Sequence, residues 1–316
     1  MISVSLFGRS LLTWLDYSER EIRYLLDLSI KVKNESKSSG EAVLRRFEGK
    51  TLALLFEKRS TRTRCAFETA FGEEGGHPVF LSTADIQLGA KESIEDTARV
   101  LGRMFSAIQF RGFKQESAEI LARYSGVPVY NGLTDLFHPT QVLADIMTLE
   151  ENFGSCRGKK LCFVGDGRNN VARSLMVICS KLGVHFTIIS PPELFPGEAL
   201  ARQCENFTTE SEAIISVTPE LSALDGADAV YTDVWTSMGE EDKKGERTRL
   251  LRPYQVNRAL MDKTGKADSI FLHCLPAVKG EEVTVDVIDG PQSRVWDQAE
   301  NRKHTIKAIM LATIGQ

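Results

Sequence analysis

Short apolar runs recur along the chain, and longer stretches with apolar residues spaced near 3.6 separate them. The runs Thr51–Phe56, Pro78–Leu81, Ala107–Phe110, Val127–Tyr130, Leu161–Val164, Val184–Ile189, Ala229–Val234 and Ser269–His273 predict buried β-strands. The intervening stretches predict amphipathic helices. In one of them Val171, Leu175, Ile178 and Leu182 share a face, and Gly183 follows as the closing glycine. Pro139 opens another helix that runs to about Asn152. A final helix covers Asp297–Ile314, with Ile306, Ile309, Met310 and Thr313 on one face. Strands alternating with helices predict an α/β fold with mostly parallel sheets flanked by helices. The polar, glycine-containing stretch FGSCRGKK predicts a domain boundary near 150–158, and a new α/β run starts at Leu161.

Length supports that division: 316 residues are enough for two domains. Hydrophobic residues make up 42% and charged residues 26%, as expected of a globular protein. The net charge of −4, from 39 basic and 43 acidic residues, supplies no basic field for nucleic acid. The longest apolar runs, such as Leu52–Phe56 and Ala308–Ala312, fall far short of the roughly 20 residues that span a bilayer. The first residues, MISVSLFGRSLLTWLD, lack the charged and hydrophobic regions of a secretory signal, so a cytoplasmic protein is expected. The six cysteines, at 65, 156, 162, 179, 204 and 274, form no C-x-x-C pair and accompany no histidine cluster. No zinc site or other metal is expected, and the thiols are expected to stay reduced. Five of them read as small core residues; Cys274 is set apart by what surrounds it.

In open α/β sheets ligands bind beyond the carboxyl ends of the strands. The chemically unusual residues of this chain collect there. Ser60-Thr61-Arg62-Thr63 lies between a strand and a helix carrying Ala66, Phe67, Ala70 and Phe71. Its hydroxyls, guanidinium and first-turn N–H groups suit an anion, although an ordinary helix cap with a solvated basic face fits the same residues. Arg111 ends a strand in Phe110-Arg111-Gly112, and His138-Pro139-Thr140-Gln141 starts a helix, where the helix dipole favours a neutral imidazole. Gly165-Asp166-Gly167 begins like a dinucleotide fingerprint, but Asn170 stands at its third glycine position. Ser190-Pro191 stands where a ribose-binding acid would end the next strand, so a dehydrogenase and its nicotinamide cofactor are disfavoured. Asn169 and Asn170 suit either a helix cap or a carboxylate. Asp233 ends a buried strand and needs a cation or a donor. Cys274 lies between His273 and Leu275-Pro276.

Taken in order, Ser-Thr-Arg-Thr-Arg at 60–64, Phe-Arg-Gly at 110–112, His-Pro-Thr-Gln at 138–141, Asp-Val-Trp-x-Ser-Met-Gly at 233–239 and His-Cys-Leu-Pro at 273–276 resemble the aspartate/ornithine carbamoyltransferase family. The likeness runs from about residue 6 to the last helix. It implies two α/β domains. Residues 1–150, with the returning C-terminal helix 297–316, would bind carbamoyl phosphate, and residues 151–296 the amino substrate. It implies transfer of the carbamoyl group to the δ-amine of ornithine, giving citrulline and phosphate, within arginine metabolism. The alternative is another amine such as putrescine; the intact Ser-Met-Gly loop favours ornithine. No cofactor is implied. A homotrimer, or a multiple of trimers, is the implied assembly.

Carried over by motif, Ser60, Thr61, Arg62 and Thr63 would hold the phosphate, and Arg111, His138 and Gln141 the carbamoyl oxygen and nitrogen. Arg302 would also contact carbamoyl phosphate, and Gln87 would reach a neighbouring subunit's phosphate. Asn170, Asp233, Ser237 and Met238 would hold ornithine, with Asp233 on its α-amino group. Cys274 and Leu275 would border the carbamoyl group and the incoming amine, and Cys274, with Asp233, would assist proton loss from it.

Overall fold

Thr51–Phe56 forms the first strand, β1, and buries five of its six positions, as an apolar run in a sheet covered on both faces requires. The computed structural model describes residues 4–37, 44–82, 92–236, 242 and 244–315. The chain divides into two compact units, one of residues 1–147 with 300–316 and the other of residues 148–299.

In the first unit β1 is joined by β2 (His77–Ser82), β3 (Ala107–Arg111) and β4 (Val129–Leu133). The order is β2-β1-β3-β4, and every pair is parallel. Its helices are α1 (Glu19–Lys37), α2 (Thr61–Gly72), α3 (Ile94–Met104), α4 (Gln115–Ser125) and most of α5 (Pro139–Phe153). Ala53, Leu55, Ile108, Phe110 and Val129 of the sheet pack on Ala98 and Leu101 of α3 and Ala118 and Leu121 of α4.

The second unit holds β5 (Lys160–Val164), β6 (His185–Ile189), β7 (Ile215–Thr218), β8 (Ala229–Thr232) and β9 (Ile270–His273) in the order β7-β6-β5-β8-β9, again all parallel. Its helices are α6 (Asn170–Leu182), α7 (Glu198–Ser211), α8 (Lys244–Leu251), α9 (Arg258–Asp262), α10 (Val285–Ile288) and the start of α11 (Val295–Ile314). Asn169 caps α6 and Gly183 closes it at φ +73°. Cys162, Val164, Val230 and Phe271 pack on Leu260, Met261, Val287 and Ile288.

The remainder of α11, from Glu300 on, belongs to the first unit and is tied to it along its length. Lys33 Nζ donates to Asn301 Oδ1 at 2.6 Å. Lys303 and Lys307 reach Glu73 at 3.1 and 3.0 Å, and Lys307 also reaches Glu74, which Arg46 grips with two hydrogen bonds. Tyr130 and Thr313 share a hydroxyl hydrogen bond at 2.7 Å. The apolar face expected from Ile306, Ile309, Met310 and Thr313 is buried.

The α/β class with two mostly parallel sheets and a C-terminal helix holds. Two expectations need correction. The strand Ile215–Thr218 was not expected: it is short and half-buried throughout, at the edge of its sheet, so it lacks the apolar signature of the others. Cys65 is exposed, because α2 turns Ala66, Phe67, Ala70 and Phe71 inward and leaves position 65 outside. Cys156, Cys162, Cys179 and Cys204 are buried as expected. Burial pushes the Cys162 thiol up to about 12 and that of Cys204 to about 11, so both stay protonated. Among the described residues no helix is long and apolar enough to cross a membrane.

Candidate active site

Each sheet has one point where the strand order reverses, and there the loops leaving two neighbouring strands part company. In the first unit that point lies between β1 and β3. The loop after β1 ends at Ser60, the first turn of α2 carries Thr61, Arg62 and Thr63, and β3 ends in Arg111. In the second unit it lies between β5 and β8. The loop after β5 runs from Gly165 to Asn169, Asn170 opens α6, and Asp233 directly follows β8.

Ser60 is the N-cap of α2, and its Oγ accepts from the Thr63 N–H at 3.2 Å. Thr63 is fully buried and acts as a hub: its Oγ1 accepts from Arg111 Nη1 at 3.3 Å and from Arg302 Nη2 at 3.2 Å. Arg302 Nη2 also reaches Thr140 Oγ1 at 3.4 Å. Two guanidiniums 191 positions apart in the chain thus converge on neutral hydroxyls. Gly112 permits the tight exit from β3, since a Cβ there would overlap the Phe110 ring and the Glu57 carboxylate. A cavity of about 600 Å³ opens over the β1–α2 turn, lined by Lys58, Arg59, Ser60, Thr61 and Arg64. Arg111, His138 and Arg302 lie deeper and do not line it.

His138 precedes the first turn of α5 and is buried. Burial, and then the charges of Arg302, Arg111 and Arg62, hold its pKa well below the usual histidine value. Its imidazole is therefore neutral near pH 7, as expected from its place at a helix start. Three positive groups around a neutral imidazole describe a site for an anion. Gln141, one turn on, is buried, and its Nε2 donates to Asp145 Oδ1 at 2.9 Å.

The neutral imidazoles predict acid sensitivity. His304 is likewise depressed to about 4, first by burial and then by Lys303. In the unfolded chain both rings titrate near their ordinary value of about 6.5. Below that pH the unfolded state binds more protons than the folded one, so stability falls as pH drops from about 6.5. The thermal midpoint should fall between pH 7 and pH 5, and His138→Gln should flatten part of that fall. A midpoint unchanged over this range would contradict the burial of both rings.

In the second unit Asp233 is the centre. Its Oδ1 accepts from the Cys274 thiol at 3.1 Å and from the Val234 N–H at 2.8 Å, and its Oδ2 accepts from Asn169 Nδ2 at 2.8 Å. Asn169 Oδ1 in turn accepts from the Val171 N–H at 2.7 Å, so one side chain both caps α6 and holds Asp233. Asn170 is the first helical residue, half-buried beside it. Gly165 allows the turn after β5 with φ +149°. Leu275 sits in the left-handed region at φ +57°, held by its N–H, which donates to His273 Nδ1 at 2.8 Å. His273 Nε2 meets the buried Glu282 at 3.2 Å. The acceptor at Nδ1 places the ring proton on Nε2, facing Glu282. Asp233, His273 and Cys274 bring three possible ligand atoms within 4.8 Å of one another. Each of those side chains is already engaged in the hydrogen bonds just described, so the cluster reads as a polar network.

The structure thus gathers Thr63, Arg62, Arg111, His138 and Arg302 in the first unit, with Ser60 and Thr61 at the same turn and Gln141 on the same helix start. It gathers Asp233 and Cys274 in the second, with Asn170 and Leu275 adjacent. Gln87, Ser237 and Met238 lie outside the described residues. Asn169, Asp145 and the pair His273–Glu282 are additions to the expected set. The Asn169-Asn170 doublet, open in sequence to capping or ligand binding, carried the only signal for the first.

Comparison with known proteins shows what these units resemble. Residues 9–151 match the carbamoyl-P binding domain of aspartate/ornithine carbamoyltransferase, and residues 157–313 its Asp/Orn binding domain. The chain is 67% identical over 314 residues to the ornithine carbamoyltransferase of Caldanaerobacter subterraneus, covering 99% of this chain and 100% of that protein. It is 54% identical to the catabolic ornithine carbamoyltransferase of Bacillus licheniformis, covering 99% and 98%. The solved ornithine carbamoyltransferase of Pyrococcus furiosus superposes with a TM-score of 0.95 at 46% identity, covering 99% of each chain.

Proposed function

The chain belongs to the aspartate/ornithine carbamoyltransferase family, and on that footing we propose how its residues share the reaction. It is a transferase that moves the carbamoyl group of carbamoyl phosphate to the δ-amine of L-ornithine, giving L-citrulline and phosphate. The first unit serves carbamoyl phosphate and the second ornithine. The observation that supports this division best is the convergence of Arg111 and Arg302 on Thr63 around a neutral His138.

Carbamoyl phosphate is a small dianion. Ser60, Thr61, Arg62, Thr63 and Arg302 hold its phosphate, with the first-turn N–H groups of α2 adding oriented donors. Gln87 completes the phosphate site of a neighbouring subunit in a homotrimer or a multiple of trimers. Arg111 and His138 bind the carbamoyl oxygen and Gln141 the carbamoyl nitrogen. Attack by the amine builds negative charge on that oxygen, where Arg111 stabilises it. The new N–C bond forms, the bond to the phosphate oxygen breaks, its electron pair leaves with phosphate, and the proton the attacking nitrogen gives up departs on that phosphate. The donors that bound the phosphate then stabilise the leaving group. No covalent intermediate is required, so Cys274 is not a nucleophile.

Asp233 binds the α-ammonium of ornithine, and Asn170, Ser237 and Met238 complete the contacts. Cys274 and Leu275 border the reacting carbon. Only the neutral δ-amine attacks. With a lysine-like pKa of about 10.4, deprotonation at pH 7 costs about 4.6 kcal/mol. Cys274 and Asp233 assist that proton loss, and rates rise on the alkaline side. The protein works in the cytoplasm.

The test is a product assay with ornithine, putrescine, N-acetylornithine and aspartate in parallel at pH 7 and pH 8.5. Citrulline from ornithine alone, formed faster at pH 8.5, is the expected result. Product from another amine would discard the assignments of Asn170, Asp233, Ser237 and Met238 while keeping those for carbamoyl phosphate.

A further inference from the structure

We propose that Asp145 is a positioning residue that sets the preference of the donor site for a carbamoyl group by fixing which end of the Gln141 amide is offered to the ligand. The inference rests on the reading that Gln141 binds the carbamoyl nitrogen.

Gln141 is 1% exposed, and a buried primary amide has two ends with opposite hydrogen-bonding character. A carboxylate only accepts, so Asp145 Oδ1, 2.9 Å from Gln141 Nε2, requires the nitrogen to face it. The Gln141 Oε1 is then turned away from Asp145, is itself buried, and has no hydrogen-bond partner. A buried carbonyl oxygen left unsatisfied is unfavourable, so the position calls for a donor. The spacing of four residues makes the pairing local to one face of α5, and His138, three residues before Gln141, shares that face.

The surrounding guanidiniums of Arg62, Arg111 and Arg302 offer only donors. An acceptor at Gln141 is what an N–H-bearing ligand needs among them. Carbamoyl phosphate carries an NH₂ where acetyl phosphate, of the same shape and charge, carries a methyl group. A Gln141 amide turned the other way would set its own NH₂ against the ligand's. Asp145, fully buried and out of the ligand's reach in this account, selects the productive orientation.

Dissociation constants for carbamoyl phosphate, acetyl phosphate and inorganic phosphate test this on the intact protein and on Asp145→Ala, Asp145→Asn and Gln141→Ala. Asp145→Ala should weaken carbamoyl phosphate about tenfold, the size of one buried hydrogen bond, and leave the other two within about twofold. Asp145→Asn keeps an acceptor but can also donate, and should recover part of the loss. It also serves as the readout should the alanine variant fail to fold. A merely structural role would weaken all three ligands by one factor; that result, or a ratio unchanged in every variant that folds, overturns the proposal. Gln141→Ala separates the two levels. If it leaves the carbamoyl preference intact, the reading of Gln141 itself fails. If it abolishes the preference while Asp145→Ala retains it, only the role of Asp145 falls.

Discussion

Replacing Arg111 with methionine lowers kcat/KM for carbamoyl phosphate by about two to three orders of magnitude. The residue ends β3 at the reversal point of its sheet, and its guanidinium is buried against Thr63. Methionine keeps an unbranched stem of similar length, so the strand and the Phe110 side of the core keep their packing. What is lost is a fixed positive charge at the oxygen where negative charge grows. Removing one oxyanion donor costs about 3–4 kcal/mol, and each 1.4 kcal/mol is a factor of ten. The same substitution removes one of the charges that hold His138 neutral, so the His138 pKa rises and an acid limb in kcat/KM moves to higher pH. Steady-state kinetics across pH, with a thermal scan to verify folding, checks both effects. A loss below about tenfold in a folded variant would remove Arg111 from the reaction.

The second large effect is expected from Asp233→Asn: kcat/KM for ornithine falls by about two to three orders of magnitude. Asp233 is buried, and its two oxygens are aligned by Asn169, Val234 and Cys274. Leaving a charged ligand group without its buried counter-ion costs about 2–5 kcal/mol. Asparagine has nearly the same shape, but its NH₂ end faces either the Cys274 thiol or the Asn169 amide nitrogen, both of which donate. The carboxylate network therefore loosens as well as losing its charge. Carbamoyl phosphate binding to the free enzyme, measured by calorimetry, should stay unchanged. If the variant weakens both substrates equally, Asp233 supports the fold of its unit and does not meet ornithine.

These two residues were legible in the sequence because each ends an apolar run, and a polar group at such a place has few ordinary explanations. The sheets were legible for the same reason: Thr51–Phe56 and Ile270–His273 are buried on both faces and read as continuous apolar segments. Ile215–Thr218 was hidden because it is four residues long and half-buried throughout, and the alternation of Ile-Ser-Val-Thr is too short to stand out from the polar stretch around it. The supporting residues were hidden for a different reason. Nothing in the neighbourhood of Thr63 announces that its hydroxyl receives two arginines, one of them 239 positions away. Asn169 and Asn170 are chemically identical, and only the turn after Gly165 decides which of them caps α6 and which becomes its first residue. Asp145 reads as one more polar position in a helix until its partner's orientation is seen. Periodicity reports which face of an element is covered, but it does not report where one atom of a side chain points.

The pairing of Arg302 with Thr63 also sets a condition on the anion site. The contact spans 239 residues, so it closes a long loop whose entropic cost the docking of α11 must offset. A chain folded only through residue 147 has Thr63, Arg111 and His138 but not the α11 segment that carries Arg302. The anion site is thus complete only when α11 has docked on the first unit, and its occupancy reports that docking. By mass action, a dianion that needs Arg302 stabilises only the state in which α11 is docked. The substrate thereby protects finished molecules and gives no shelter to unfinished ones.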